Sequence, residues 1–201
     1  MAQKEVLQVA LLGLGTVGTG VYKVLKSQES EMAQKIGCKV NIAKILVRNL
    51  EKAARKVEDS TVLTNDWESI VRDPSIDIVI ELMGGLHPAK EYIMEALEAG
   101  KHVVTANKDL VAVAGKELLD TAQANKVDFL FEAAVAGGIP IIRPLKQCLA
   151  GNHITEVMGI VNGTTNFILT KMTQEGMEFQ EALALATELG YAEADPTADI
   201  E

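Results

Sequence analysis

Two segments carry the residue types best suited to chemistry: Gly13-Leu-Gly-Thr-Val-Gly18 near the start, and Gly190-Tyr-Ala-Glu-Ala-Asp-Pro-Thr-Ala-Asp-Ile-Glu201 at the end. The first is suited to binding phosphate. A phosphate needs backbone N–H donors at close range and a favourable dipole, and a glycine turn between a strand and a helix supplies both. Gly13 allows the tight turn, Gly15 lets the backbone approach a pyrophosphate, and Gly18 lets helix and strand pack closely. Leu14, Thr16 and Val17 complete the same cradle. A bare GxGxxG is a weak signal, because glycines occur in many turns, so its weight rests on a buried strand before it and a helical pattern after it. The second segment places four carboxylates, Glu193, Asp195, Asp199 and Glu201, within nine residues. That density suits a cationic group, and it equally suits a solvated acidic stretch. Asp195-Pro196 reads as turn chemistry.

The surrounding pattern supplies the required context. Residues 6–12, Val-Leu-Gln-Val-Ala-Leu-Leu, predict a strand buried on both faces. From Thr16, apolar Val17, Val21, Val24 and Leu25 recur at helical spacing and fade into the polar stretch 27–34. Further strands are predicted over 40–47, 76–82, 102–105 and 127–131. Helices are predicted over 52–57 and 67–71, after Pro88 along Tyr92, Ile93, Ala96 and Leu97 to a Gly100 cap, and around Leu118, Leu119 and Ala122. This alternation predicts an α/β fold with a parallel doubly wound sheet. After Glu132 the small-residue loop Ala133-Ala-Val-Ala-Gly-Gly-Ile-Pro140 marks a change of texture, placing a boundary between 1–131 and 132–201. The second part is predicted to hold a strand over 154–161, a helix from Phe167 and another over 179–189, the start of an α+β unit.

Strand 40–47 runs into Arg48-Asn49. An acidic residue at this place would hold the free ribose 2′-OH of NAD, whereas an arginine suits a 2′-phosphate, with Lys52 and Arg55 within a turn or two. NADP(H) is therefore favoured, with NAD(H) use open. Read plainly, Arg48 is a solvated charge. Lys108 lies just past the strand 102–105, where open α/β sheets bind ligands, so its ammonium could meet a reacting oxygen or a cofactor group.

Composition excludes several classes. The formal charge of −9, from 19 basic and 28 acidic side chains, opposes a general role on nucleic acid. No apolar run reaches the roughly 20 residues of a spanning helix, and the first residues lack the pattern of a secretory signal, so a cytoplasmic location is expected. Cys38 and Cys148 are far apart, and His87, His102 and His153 sit in unrelated segments. Neither a zinc site nor a disulfide framework is expected.

Later blocks narrow the class. Val104-Thr-Ala-Asn-Lys108, Phe131-Glu-Ala-Ala-Val-Ala-Gly-Gly-Ile-Pro-Ile141, Gly159-Ile-Val-Asn-Gly-Thr-Thr-Asn166 and Gly190-Tyr-Ala-Glu-Ala-Asp-Pro-Thr-Ala-Asp199, in this order, resemble homoserine dehydrogenase over essentially the whole chain. The resemblance implies a Rossmann-type domain followed by a catalytic and dimerisation domain. It also implies NAD(P)-dependent interconversion of L-homoserine and L-aspartate 4-semialdehyde, on the route to threonine, methionine and isoleucine. Lys108 would be the catalytic lysine beside cofactor and substrate. Glu193 would bind the substrate ammonium, Asp199 would organise the same pocket, and the backbone at Gly190 would touch the cofactor. Glu132 with the carbonyls of Val135, Gly137 and Ile139 would form a monovalent cation site, usually sodium; the alternative is a plain interdomain hinge. Asn162 to Asn166 offers donors beside the cleft or a helix cap. In the family a Gly-x-Asp and a second lysine follow the Asp-Ile matching Asp199-Ile200, so a chain ending at Glu201 is expected to bind dinucleotide with little turnover. A homodimer is expected of the full-length protein. Another two-domain dehydrogenase of a small metabolite, or a non-catalytic nucleotide-binding module, remains the alternative.

Overall fold

The computed structural model describes residues 4–191, and the chain separates into two compact units, Met1–Pro144 and Leu145–Glu201. In the first, β1 (Val6–Leu12), β2 (Lys39–Leu46), β3 (Leu63–Thr64), β4 (Ile78–Glu81), β5 (His102–Thr105) and β6 (Phe129–Leu130) form one parallel sheet. Its order is β3-β2-β1-β4-β5-β6. The helices between them are α1 (Thr16–Ser27), α2 (Glu29–Ile36), α3 (Leu50–Ala54), α4 (Glu68–Val71), α5 (Ala89–Glu98) and α6 (Lys108–Asn125). The chain builds outward from β1 to β3, then returns to the other side of β1 with β4. That reversal creates a switch point between β1 and β4, and the crevice beyond the strand C-termini there is where such sheets take ligands.

Both faces of the sheet are covered, which explains why β1 is apolar nearly throughout. Side chains alternate across a strand. Val9 and Leu11 therefore join Leu14, Tyr22, Ile42, Ile45 and Ala53 on one side. Ala10 and Leu12 join Ile70, Val79, Ile93, Leu97, Leu110 and Leu118 on the other. Each fully buried leucine or isoleucine contributes roughly 1.5–3 kcal/mol relative to exposure. Trp67 stacks on Tyr92 with ring centroids 4.5 Å apart and donates its indole N–H to Glu95 at 2.5 Å, so the aromatic pair satisfies its polar atom as well.

The doubly wound sheet is as predicted, and the departures have physical causes. The polar stretch after α1 is helical: α2 has no buried residue, and its apolar pattern, Met32, Ala33 and Ile36, is confined to eight residues. It is supported by Glu29 and Glu31 at its positive end, Lys35 in its last turn, a Lys35–Glu31 ion pair at 2.7 Å and a left-handed Gly37 cap. β3, two residues long, is too short to show a period and was not predicted. The strand at 127–131 shortens to two residues.

The second unit contains α7 (Gly163–Glu175) and α8 (Phe179–Glu188), which pack through Ile168, Ala182 and Ala186 with Phe167, Met172, Met177, Phe179 and Leu183 around them. The strand expected over 154–161 is absent. That segment is irregular, with Met158 and Val161 85% and 97% exposed. A strand exists through paired backbone, and no described segment pairs with it.

Candidate dinucleotide site

The glycine loop sits at the switch point, and its three glycines differ: the fold itself demands glycine at 13 and 18, whereas at 15 it leaves open space. Gly13 has φ +100, and its N–H donates to the Leu46 carbonyl at 2.9 Å, tying the ends of β1 and β2. A side chain on Gly13 would also meet the Leu82 carbonyl oxygen at 3.0 Å. At Gly18 a Cβ would fall 2.3 Å from the Gly13 carbonyl oxygen. Gly15 is the N-cap of α1, and a Cβ there would meet nothing within 4 Å. The loop is thus closed from behind and open in front.

That open side borders a cleft of about 610 Å³ lined by Gly13, Leu14, Gly15, Arg48, Lys52 and Lys56 among others. The N-terminus of α1 has no side-chain cap and no acidic residue in its first turn. A helix end of this kind leaves N–H donors and a positive dipole end for an anion. The chemistry of the cleft, glycine backbone and cationic side chains lining one space, fits a dinucleotide whose pyrophosphate lies on the loop. Arg48 is exposed, and Asn49 caps α3 by accepting from the Lys52 N–H at 2.8 Å. Arg55 is not part of the lining. Lys56, not singled out from sequence, donates to the Leu14 carbonyl at 2.7 Å from 42 residues away.

Replacing Gly18 by alanine forces the loop open. The expected result is a loss of about 1–3 kcal/mol in stability and weakened dinucleotide binding. Gly15→Ala should leave the melting temperature nearly unchanged and act on ligand approach alone. Equal melts for the two variants would refute the packing role of Gly18.

Glu81 closes β4 as a fully buried carboxylate. It accepts from Met83 N–H at 2.7 Å, Gly84 N–H at 3.2 Å and the Thr105 hydroxyl at 2.6 Å. Thr105 Oγ1 in turn accepts from Asn107 N–H at 3.0 Å. The Asn107 side chain donates to the Gly85 carbonyl at 2.7 Å and accepts from Leu110 N–H at 3.1 Å, capping α6. This network joins the loop after β4, whose Leu82 and Met83 line the cleft, to the turn that carries Lys108. Lys108 is exposed at the first position of α6. Neither Glu81 nor Asn107 was singled out from sequence. The available signals were a lone charge ending an apolar strand, which requires partners, and an asparagine three residues before the first buried residue of a helix.

Glu132 accepts three backbone N–H bonds, from Ile141 at 2.6 Å and Ile142 at 2.8 Å on Oε1 and from Arg143 at 2.7 Å on Oε2. The Ile141 bond above all holds its pKa below the ordinary glutamate value; burial opposes this, and the Arg143 and Ile142 bonds add to it. Ala136 and Gly137 here take left-handed backbone, φ 55 and 58. Among the described residues no group of three or more His, Cys, Asp or Glu could hold a metal ion. Because the folded pKa is depressed, the carboxylate's stabilisation is complete above the unfolded value, about 4.3, and is lost as pH falls through the lower folded value. Protection of the 141–143 amides, measured relative to their intrinsic exchange at each pH, should therefore fall as acidification passes below the ordinary glutamate range. Glu132→Gln should flatten that dependence, and an unchanged profile would sink the assignment.

In the second unit, Asn162 caps α7 by accepting from Thr165 N–H at 2.8 Å. Thr164 Oγ1 donates to the Tyr191 carbonyl at 2.5 Å, and the Phe167 and Tyr191 rings stack 4.6 Å apart. The Asn162 to Asn166 block is thus both a helix cap and the neighbour of the segment that opens at Gly190, which turns the chain after α8 with φ 78. Glu193 and Asp199 lie outside the described residues. No described helix is long and apolar enough to cross a membrane.

Sheet order, switch-point cleft and glycine loop together define an NAD(P)-binding domain of the Rossmann class. Residues 13–132 match the family model for the homoserine dehydrogenase NAD-binding domain, and residues 140–201 match that for homoserine dehydrogenase. The chain belongs to the homoserine dehydrogenase family. It is 51% identical over 197 residues to homoserine dehydrogenase of Bacillus subtilis, covering 98% of this chain and 46% of that protein. The crystal structure of a homoserine dehydrogenase from Thiobacillus denitrificans superposes with a TM-score of 0.87 at 50% identity, over 98% of this chain and 45% of that one. A hyperthermophilic archaeal homoserine dehydrogenase in complex with NADPH gives 0.79 at 27% identity, over 97% and 65%. The chain therefore spans about half the length of the curated relatives it matches.

Proposed function

We propose that the protein is the NAD(P)-dependent enzyme that interconverts L-aspartate 4-semialdehyde and L-homoserine, serving the synthesis of threonine, methionine and isoleucine. The observation that carries this is the match of both family models in order along the chain, with Lys108 placed just beyond β5. A bound nicotinamide cofactor would supply the hydride chemistry of this interconversion. The chain's own residues bind and orient. The glycine loop, residues 13–18, would hold the pyrophosphate. Arg48, exposed on the cleft with Lys52 beside it, would favour the 2′-phosphate of NADP(H), with NAD(H) accepted more weakly. An NADPH complex of a relative supports this choice.

Lys108 would donate a proton to the carbonyl oxygen as it gains negative charge, and would take the proton back in the oxidative direction. Glu193 would pair with the substrate ammonium, Asp199 would order that segment, and Gly190 would contact the cofactor by its backbone. A sodium ion at the carbonyls of Val135, Gly137 and Ile139, with Glu132 shaping the loop, belongs to the same reading. So do a homodimer and a cytoplasmic location. The test is oxidation of NADPH by the complete gene product with L-aspartate 4-semialdehyde, titrated with sodium. Absence of turnover while NADPH binds would overturn the substrate assignment.

A further inference from the structure

We propose that Lys56 is a positioning residue for the dinucleotide, acting through the Leu14–Gly15 peptide and not by contact with the 2′-phosphate. The proposal rests on the cofactor reading of the cleft. Three cationic side chains, Arg48, Lys52 and Lys56, line this cleft, and from type alone any of them could meet a phosphate. Their surroundings differ. Arg48 and Lys52 are exposed, whereas Lys56 is half-buried with its ammonium 2.7 Å from the Leu14 carbonyl oxygen. The Thr19 hydroxyl donates to the same oxygen at 3.3 Å.

The Leu14 carbonyl and the Gly15 N–H belong to one peptide unit. A positive charge on the oxygen polarises that unit and strengthens the N–H at its other end as a donor. Gly15 is the N-cap whose front opens on the cleft, so the donor strengthened is one a pyrophosphate would use. The same bond anchors the segment after α3 to the glycine loop, holding the phosphate end and the 2′-phosphate end of the cleft at a set separation. The backbone of Lys56 is itself fixed by an N–H bond to the Ala53 carbonyl at 2.9 Å.

Pyrophosphate is common to NADH and NADPH, whereas the 2′-phosphate is present only in NADPH. A residue acting through Gly15 must affect both equally. The experiment measures dissociation constants of both cofactors by fluorescence titration in the complete gene product, for Lys56→Met, Lys56→Arg and Arg48→Met, with a thermal melt of each. Lys56→Met should weaken NADH and NADPH by the same factor, on the order of ten-fold, as for loss of a charge-assisted hydrogen bond. Lys56→Arg should restore most of it, since a guanidinium can donate to the same carbonyl. Arg48→Met should weaken NADPH selectively. A loss confined to NADPH in Lys56→Met would overturn the proposal and make Lys56 a direct 2′-phosphate ligand. Unchanged affinities would overturn it by making the Leu14 bond passive, and a loss tracking a lowered melt that Lys56→Arg does not rescue would reduce it to a folding effect. If the unaltered protein binds neither cofactor, the cofactor reading itself fails, which none of the variant outcomes mimics.

Discussion

Lys108→Met should lower turnover of L-aspartate 4-semialdehyde by about 10²–10⁴-fold, the usual worth of a positioned acid or base, while the protein stays folded. The position argues for this separation. Lys108 is exposed at the first residue of α6 and outside both apolar clusters, so no packing depends on it. A cation there opposes the positive end of the helix dipole and, if anything, destabilises α6 slightly. The helix is secured by Asn107, whose side chain accepts from Leu110 N–H, and by Asp109 in the first turn. The melting temperature of the variant should therefore match or slightly exceed that of the parent. NADPH titration should show binding within a few-fold of the parent, so that the loss falls on kcat. A variant that turns over at the parental rate would remove Lys108 from the chemistry. One that loses NADPH altogether would make it a binding residue first.

The largest effect on stability is expected at Glu81. Glu81→Leu keeps the volume and removes every acceptor, leaving the Met83 and Gly84 N–H groups and the Thr105 hydroxyl without their carboxylate. The Thr105 hydroxyl is buried and, unsatisfied, costs about 1–3 kcal/mol, while the part-buried Met83 and Gly84 bonds cost less each, so a total of about 2–5 kcal/mol follows. For a chain of this size that is a fall of roughly 5–15 °C in melting temperature. Glu81→Gln retains one acceptor oxygen and should cost markedly less. The same network holds Asn107 and hence the turn bearing Lys108, so residual folded Glu81→Leu should also lose kcat beyond its unfolded fraction. Equal melts for parent and Glu81→Leu would show that solvent reaches these donors and that the network is dispensable.

Much of the first unit was legible because its signals are local. The six apolar residues among the seven of β1, the glycines after it and the stripe of α5 report period and turn chemistry within a dozen residues. α2 escaped because its apolar residues, Met32, Ala33 and Ile36, are few, lie in only eight residues and bury nothing. The segment 154–161 misled for the converse reason. Its β-branched and apolar residues suit a strand, but hydrogen-bonded partners make a strand, and none is described for it.

By itself the sequence determined the alternating strands and helices, the parallel sheet they imply, and a glycine loop of the right spacing in the right place, together with the motifs that resemble its family. Only the tertiary structure decided which residues hold that site in shape. It brought Lys56 to the Leu14 carbonyl across 42 residues and Thr105 to Glu81 across 24, and it set Thr164 against the Tyr191 carbonyl across 27. The physical reason is that period and caps are written in neighbouring residues. Pairing of a buried or half-buried charge depends instead on which distant segments the strand order and helix packing place beside it, and no local pattern carries that information.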